Sequence, residues 1–227
     1  MKVMTQPHNI KLIKIEEDSD SRPAHSSLLP KSIRGLICGP SNCGKTTVLL
    51  SLLLLKNGLK FQNIYIYSKS LYQAKYEFLR KVISGIPEIN LFEFDNNHDV
   101  VQIEDALPFS IAIFDDIACE KQKIVADYYS RGRHKSIDCF YLCQSYAKVP
   151  KHLIRDNSNF LILFNQDTLN LENIHKSHVN SDFSFTKFTE ICRECWRNPF
   201  DFLLIDKSSG LNSGRYRYKF NNFIISS

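Results

Sequence analysis

Gly39-Pro40-Ser41-Asn42-Cys43-Gly44-Lys45-Thr46 follows the apolar run Ile33–Cys38 and opens the leucine-rich stretch Lys45–Leu55. It carries glycine, glycine, lysine and threonine at every fixed position of the Walker A pattern, in the strand-then-helix context that gives the pattern meaning. Four fixed positions arise by chance in about one chain in a hundred at average composition, and the context lowers that further. The chemistry explains the residue types. Backbone N–H groups must turn inward around a phosphate, which demands angles that side chains resist, and the helix N-terminus adds its positive dipole end. Lys45 is placed to bridge the β- and γ-phosphates of ATP, and the Thr46 hydroxyl to ligate Mg2+. The expected nucleotide-binding set is Gly39, Pro40, Ser41, Asn42, Cys43, Gly44, Lys45, Thr46 and Thr47.

Outward from this loop, strand-like and helix-like segments alternate, as in a mostly parallel sheet covered on both faces. The predicted strands are Ile33–Cys38, Asn63–Tyr67, Ser110–Asp115, Ile137–Cys143, Asn159–Phe164 and Phe200–Ile205. Apolar spacing of three to four residues predicts helices over Lys45–Leu55, Leu71–Ser84, Glu120–Arg131 and Phe185–Trp196. Asn57-Gly58 is a helix stop. Gly210 to Gly214 marks a C-terminal hairpin with Arg215–Tyr218 on its return strand. Residues 1–30 hold the alternating run Ile10–Ile15 and the polar stretch Glu16–Ser21 before Pro23 and Pro30, and are expected to form an arm and linker. Residues 31–227 are expected to form the catalytic domain, ending in a small helix and hairpin extension.

Composition sets the bounds. The chain has 227 residues, 43% of them hydrophobic, enough for one substantial core. Its net charge of +5 suits a phosphate-bearing partner and an ordinary soluble protein equally. No apolar leader follows Met1, and Val48–Leu55 is too short to span a bilayer, so a soluble intracellular chain is expected. Its seven cysteines, an odd count lying in apolar runs or motifs, read as reduced thiols.

Ile111-Ala112-Ile113-Phe114-Asp115-Asp116 is an apolar run ending in two carboxylates, the layout of a Walker B motif. Asp115 is expected to hold Mg2+ through water, and Asp116 to act as base or orienter of the attacking water. The strand and helix between the two motifs, with the second acid, match the additional-strand (ASCE) class of P-loop NTPases. Gln144, closing the next strand, stands where such ATPases place a polar sensor of the γ-phosphate. A surface glutamine would read the same in isolation.

The stretch from Phe114-Asp115-Asp116 through Tyr129-Ser130-Arg131-Gly132-Arg133-His134 to Gln144-Ser145-Tyr146, Pro150 and Ile154-Arg155 resembles the FtsK–HerA superfamily. Within it, the sequence is most similar to the poxvirus-type DNA-packaging ATPases of large DNA viruses and their virus-like mobile relatives. The resemblance runs from Ile33 to Lys207, including Tyr67-Ser68-Lys69 and Phe202–Lys207. It implies a homo-oligomeric ring, a pentamer or hexamer, that pumps double-stranded DNA of any sequence into a capsid through portal or vertex proteins. It places the work at the site of virion assembly, with nucleus or cytoplasm left open.

It also implies an arginine offered to a neighbour's nucleotide. Arg133 is the candidate by its place in the Gly-Arg motif, with Arg155 and Arg131 behind it. As a plain charge run, Arg131-Gly132-Arg133-His134-Lys135 is a solvated helix end. Lys69, Lys75, Lys148 and Lys151 are candidate DNA-phosphate contacts. Asp116 departs from the Glu of many relatives, and at this length no fused nuclease or large DNA-sensing domain is expected.

His175-Lys176-Ser177-His178 and Cys192-Arg193-Glu194-Cys195 have zinc-ligand spacing. Phe185, Phe188, Ile191, Cys192, Cys195 and Trp196 recur on one helical face, however, which reads as a buried stripe and not a metal site. The alternative functions are a nucleotide-driven switch and a nucleotide kinase. A kinase needs an Arg-rich lid that the sequence does not display.

Overall fold

The computed structural model describes residues 23–95, 100–116 and 122–225. The runs Ile10–Ile15 and Glu16–Ser21, and the expected helix start at Glu120, lie outside the described residues. The strands are β1 (Arg34–Cys38), β2 (Asn63–Ser68), β3 (Asn90–Phe94), β4 (Ser110–Asp115), β5 (Ile137–Cys143), β6 (Phe160–Leu163), β7 (Leu203–Asp206), β8 (Tyr216–Tyr218) and β9 (Asn222–Phe223). The α-helices are α1 (Lys45–Leu54), α2 (Ala74–Ile83), α3 (Gln122–Arg131), α4 (Thr168–Ile174) and α5 (Phe185–Cys195).

Among the described residues the strands form one sheet in the order β3-β2-β4-β5-β1-β6-β7-β8-β9. The pairings from β3 through β6 are parallel. The last three strands join antiparallel. The chain is thus an α/β protein with a mostly parallel central sheet.

The sheet is buried on both faces, which is why its central strands are continuously apolar. Leu36, Cys38, Ala112, Phe114, Cys139 and Tyr141 face one cluster with Tyr128 of α3, Ile174 of α4 and Phe188 of α5. Ile37, Ile111, Ile113, Phe140 and Leu142 face the other with Leu49 and Leu53 of α1 and Tyr76 and Leu79 of α2. A stack of rings runs from Phe94 to Tyr67 at 4.9 Å and on to Phe114 at 5.2 Å, so β3, β2 and β4 are locked side to side as well as hydrogen-bonded.

Three elements differ from the sequence reading. β3 was not expected; it pairs only with β2 at the sheet edge, and Leu91, Phe92, Glu93 and Phe94 are half-buried. α4 was not expected either, being only seven residues long, although Asp167 caps it by accepting from Asn170 N at 2.8 Å. The last core strand begins at Leu203 and not at Phe200, whose φ of 67° is left-handed and not strand backbone. The expected hairpin is present, with β7 and β8 antiparallel across the turn Leu211–Arg215.

No helix among the described residues is long and apolar enough to cross a membrane.

Candidate functional site

The register of three strands assembles the site. Asp115 of β4 aligns with Leu142 of β5, and Leu142 aligns with Ile37 of β1. The strands therefore end in one row: the acids follow β4, Gln144 follows β5 and the phosphate loop follows β1. Ser41, Asn42, Gly44, Lys45, Thr46, Asp115, Asp116 and Gln144 line one cleft at this edge.

The loop is held from below. Gly39 N donates to Cys143 O at 3.1 Å, tying it to β5. A Cβ on Gly39 would stand 2.6 Å from Phe164 Cβ, so a side chain there would displace the loop from the sheet. Gly44 has a φ of 108°, which only glycine takes without strain, and its carbonyl accepts the first α1 bond from Val48 N. Lys45 Nζ donates to Gly39 O at 2.7 Å and Pro40 O at 2.9 Å, folding its ammonium back across the loop. Cys43 is half-buried, and burial raises its thiol pKa, so it stays protonated beside Lys45.

Asp115 is half-buried. Burial raises its pKa, the Tyr76 hydrogen bond lowers it, the neighbouring Asp116 raises it, and Lys45 and Lys75 lower it, with burial dominant. The Tyr76 hydroxyl donates to Asp115 Oδ2, which leaves Oδ1 for a cation. Asp116 is exposed at a φ of 52°, with its N–H donating to Leu142 O at 3.3 Å, so the chain turns sharply to present the second carboxylate at the cleft.

Several participants were not legible in the sequence. Ser70 and Gln73, which precede α2, and Lys75 in its first turn line the same cleft. Lys75, read from the sequence as a DNA contact, thus stands in the cleft with Lys45 and the two acids. Asn170 Oδ1 accepts from Ala147 N at 2.8 Å and Ser145 Oγ at 3.3 Å, fixing the chain just beyond Gln144. Its only sequence signal was the cap residue Asp167.

Other expected residues lie elsewhere. Thr47 is exposed on α1 and outside the cleft. Arg133 is exposed in the turn Gly132–Lys135 just before β5, whereas Gln144 follows the last residue of that strand. Seven extended residues separate the ends by roughly 20 Å, so Arg133 does not reach this cleft from within its own chain. Arg131 pairs with Glu104. Arg155 is buried with its guanidinium 4.9 Å from the centre of the Tyr146 ring, so it does not project outward. His178 meets the Tyr146 hydroxyl at 2.7 Å, His175 meets Phe183 O, and Cys192 and Cys195 are buried on α5.

The chain belongs to the family described as Poxvirus A32 protein, whose profile matches residues 91–216. That stretch contains Asp115, Asp116, Arg133 and Gln144. Among solved structures, the fold is similar to the genome packaging NTPase B204 from Sulfolobus turreted icosahedral virus 2. The complex of that protein with AMP aligns at TM-score 0.59 and 12% identity, over 86% of this chain and 100% of that one. Its complex with ATP-gammaS aligns at 0.54 and 10%, over 86% and 100%. At such identity the likeness establishes the fold. No curated protein sequence matches the chain.

Proposed function

We propose that this member of the Poxvirus A32 family is an ATP-hydrolysing motor that translocates double-stranded DNA, packaging a viral or virus-like genome into a capsid as a homo-oligomeric ring. The observation that carries the reading is the row of strand ends that brings Lys45, Thr46, Asp115, Asp116 and Gln144 to one cleft. The family match and the packaging role of the B204 protein support it.

The donor set fits a magnesium nucleotide. The Thr46 hydroxyl and the Asp115 oxygen not engaged by Tyr76 are hard oxygen ligands of the kind magnesium takes. When bound, the cation neutralises charge on the β- and γ-phosphate oxygens. Lys45 exchanges its bonds to Gly39 and Pro40 carbonyls for phosphate oxygens, which are stronger charge-assisted acceptors. Loop N–H groups hold the phosphates in place. Asp116 accepts the proton of the attacking water, and Gln144 donates its amide to the γ-phosphoryl group. Arg133, distant from its own cleft, acts on a neighbour's.

DNA is held through its phosphates alone, since a packaging motor accepts any sequence, and portal or vertex proteins of the capsid are the docking partners. The test is ATP turnover with and without long double-stranded DNA. A rise with DNA length supports the motor; turnover indifferent to DNA refutes it.

A further inference from the structure

Phe200 occupies a position that phosphate chemistry does not require. It lies in the connection from α5 to β7 and is 66% exposed, with left-handed backbone that a bulky residue adopts only under constraint. The constraint comes from Asp201, whose side chain is buried. Its carboxylate accepts from Asn198 Nδ2 at 3.1 Å and from the Tyr218 hydroxyl at 2.7 Å, and pairs with Lys219 Nζ at 2.7 Å. Asp201 N also donates to Asn198 O, closing a turn with Phe200 in it. One residue beyond, Phe202 is anchored in the core against Phe164 and Phe220. The fold thus holds an aromatic ring out in solvent at a conformational cost.

The ring's neighbour is the phosphate loop. A Cβ built on Gly44 would lie 3.6 Å from Phe200 Cδ1. Sheet order gives this adjacency a direction. Around β1, the sequence β4-β5-β1-β6-β7 sets the Asp115 and Asp116 carboxylates two strands to one side and the start of β7, just after Phe200, two strands to the other. With the γ end of a triphosphate placed toward Asp116, the opposite end of the phosphate chain would point to the β6 and β7 side. That is the side on which Phe200 stands beside Gly44.

We propose that the exposed face of Phe200 is the platform on which the base of the bound nucleotide stacks. The proposal rests on the phosphate loop being a nucleotide site. The polar side chains just before it in the chain are already engaged, Asn198 with Asp201 and Arg197 with Glu194 at 2.6 Å. Recognition here is therefore of a flat aromatic ring by its π-face. Stacking of a base on an aromatic side chain changes affinity by about 5- to 100-fold when the ring is removed.

The experiment compares binding of magnesium ATP and magnesium inorganic triphosphate to wild type, Phe200→Ala, Phe200→Gly and Phe200→Trp. Wild type binds ATP more tightly than triphosphate. Phe200→Ala loses that advantage, with ATP weakened by about 5- to 100-fold and triphosphate unchanged, and Phe200→Trp restores it. Phe200→Gly, which adopts the left-handed backbone without strain, shows the same base-specific loss and a raised unfolding temperature, which separates loss of the ring from loss of the fold. Equal weakening of both probes, or unchanged ATP binding in Phe200→Ala, overturns the proposal. So does loss of oligomers with the ATP advantage intact, because Phe200 would then be an interface residue. Wild type that binds neither probe refutes the nucleotide reading itself.

Discussion

The hydroxyl of Tyr76 donates to Oδ2 of Asp115 at 2.5 Å, joining the first turn of α2 to the last residue of β4. Burial and the adjacent Asp115 charge push the Tyr76 pKa far above its ordinary value, so it remains a donor at any working pH. The bond fixes which carboxylate oxygen faces the cleft. Loss of such an outer partner typically costs 10- to 100-fold in metal affinity or activity.

Tyr76→Phe is therefore expected to raise the magnesium concentration needed for half-maximal turnover by about 10-fold or more, while the apolar ring keeps α2 packed. A magnesium titration of ATPase rate checks this. An unchanged magnesium requirement would show that Tyr76 packs without positioning Asp115.

Lys45→Ala is expected to abolish turnover. Lys45 is half-buried, clasping two loop carbonyls, and is not the freely solvated charge that the motif alone suggests. Loss of those two bonds lowers the unfolding midpoint, since the exposed Pro40 can take water instead but the buried Gly39 carbonyl loses its lysine donor. Asp116→Asn keeps shape and removes the proton acceptor, so it binds ATP and hydrolyses it at least about 100-fold more slowly. Binding and turnover lost together would make Asp116 a metal ligand.

Arg133 stands exposed, with its Nε 3.3 Å from His134 Nε2, at the opposite end of β5 from the cleft. If it serves the neighbouring subunit, Arg133→Ala binds ATP normally but loses the rise in specific activity with protein concentration. Arginines in this role are worth about 10³ to 10⁵ in rate. Mixing Arg133→Ala with Lys45→Ala subunits restores partial turnover, since some interfaces then pair an intact lysine with an intact arginine. A dead mixture of variants that each still assemble with wild type rules Arg133 out. With Arg155 buried against Tyr146, the search would then turn to other exposed arginines.

His178 links acid sensitivity to the loop beyond Gln144. Burial, with the nearby charges of Lys207 and Arg155, lowers its pKa to about 3. The unfolded chain takes up a proton near pH 6.5 that the folded chain refuses, so stability is complete above about pH 6.5 and falls as pH drops toward about 3. The slope approaches about 1.4 kcal/mol per pH unit within that window. Unfolding midpoints measured across it decline less steeply in His178→Gln. An identical decline would place the acid response elsewhere.

The motifs were legible because their chemistry is local. A loop of eight consecutive residues must wrap a phosphate, and a strand ending in two acids needs only its own apolar run to be read. The parallel sheet followed from apolar runs too continuous for a half-exposed strand. β3 and α4 escaped because an edge strand and a seven-residue helix lack the repeat length that makes periodicity readable. Tertiary structure alone decided that β4 lies beside β5 and β5 beside β1, the order that turns separate motifs into one cleft. It also decided the partners: Tyr76 on Asp115, Asn170 beneath Ala147 and Phe200 beside Gly44 join residues 23 to 156 positions apart. Such pairings depend on how the sheet closes its neighbours in space, which no local spacing encodes.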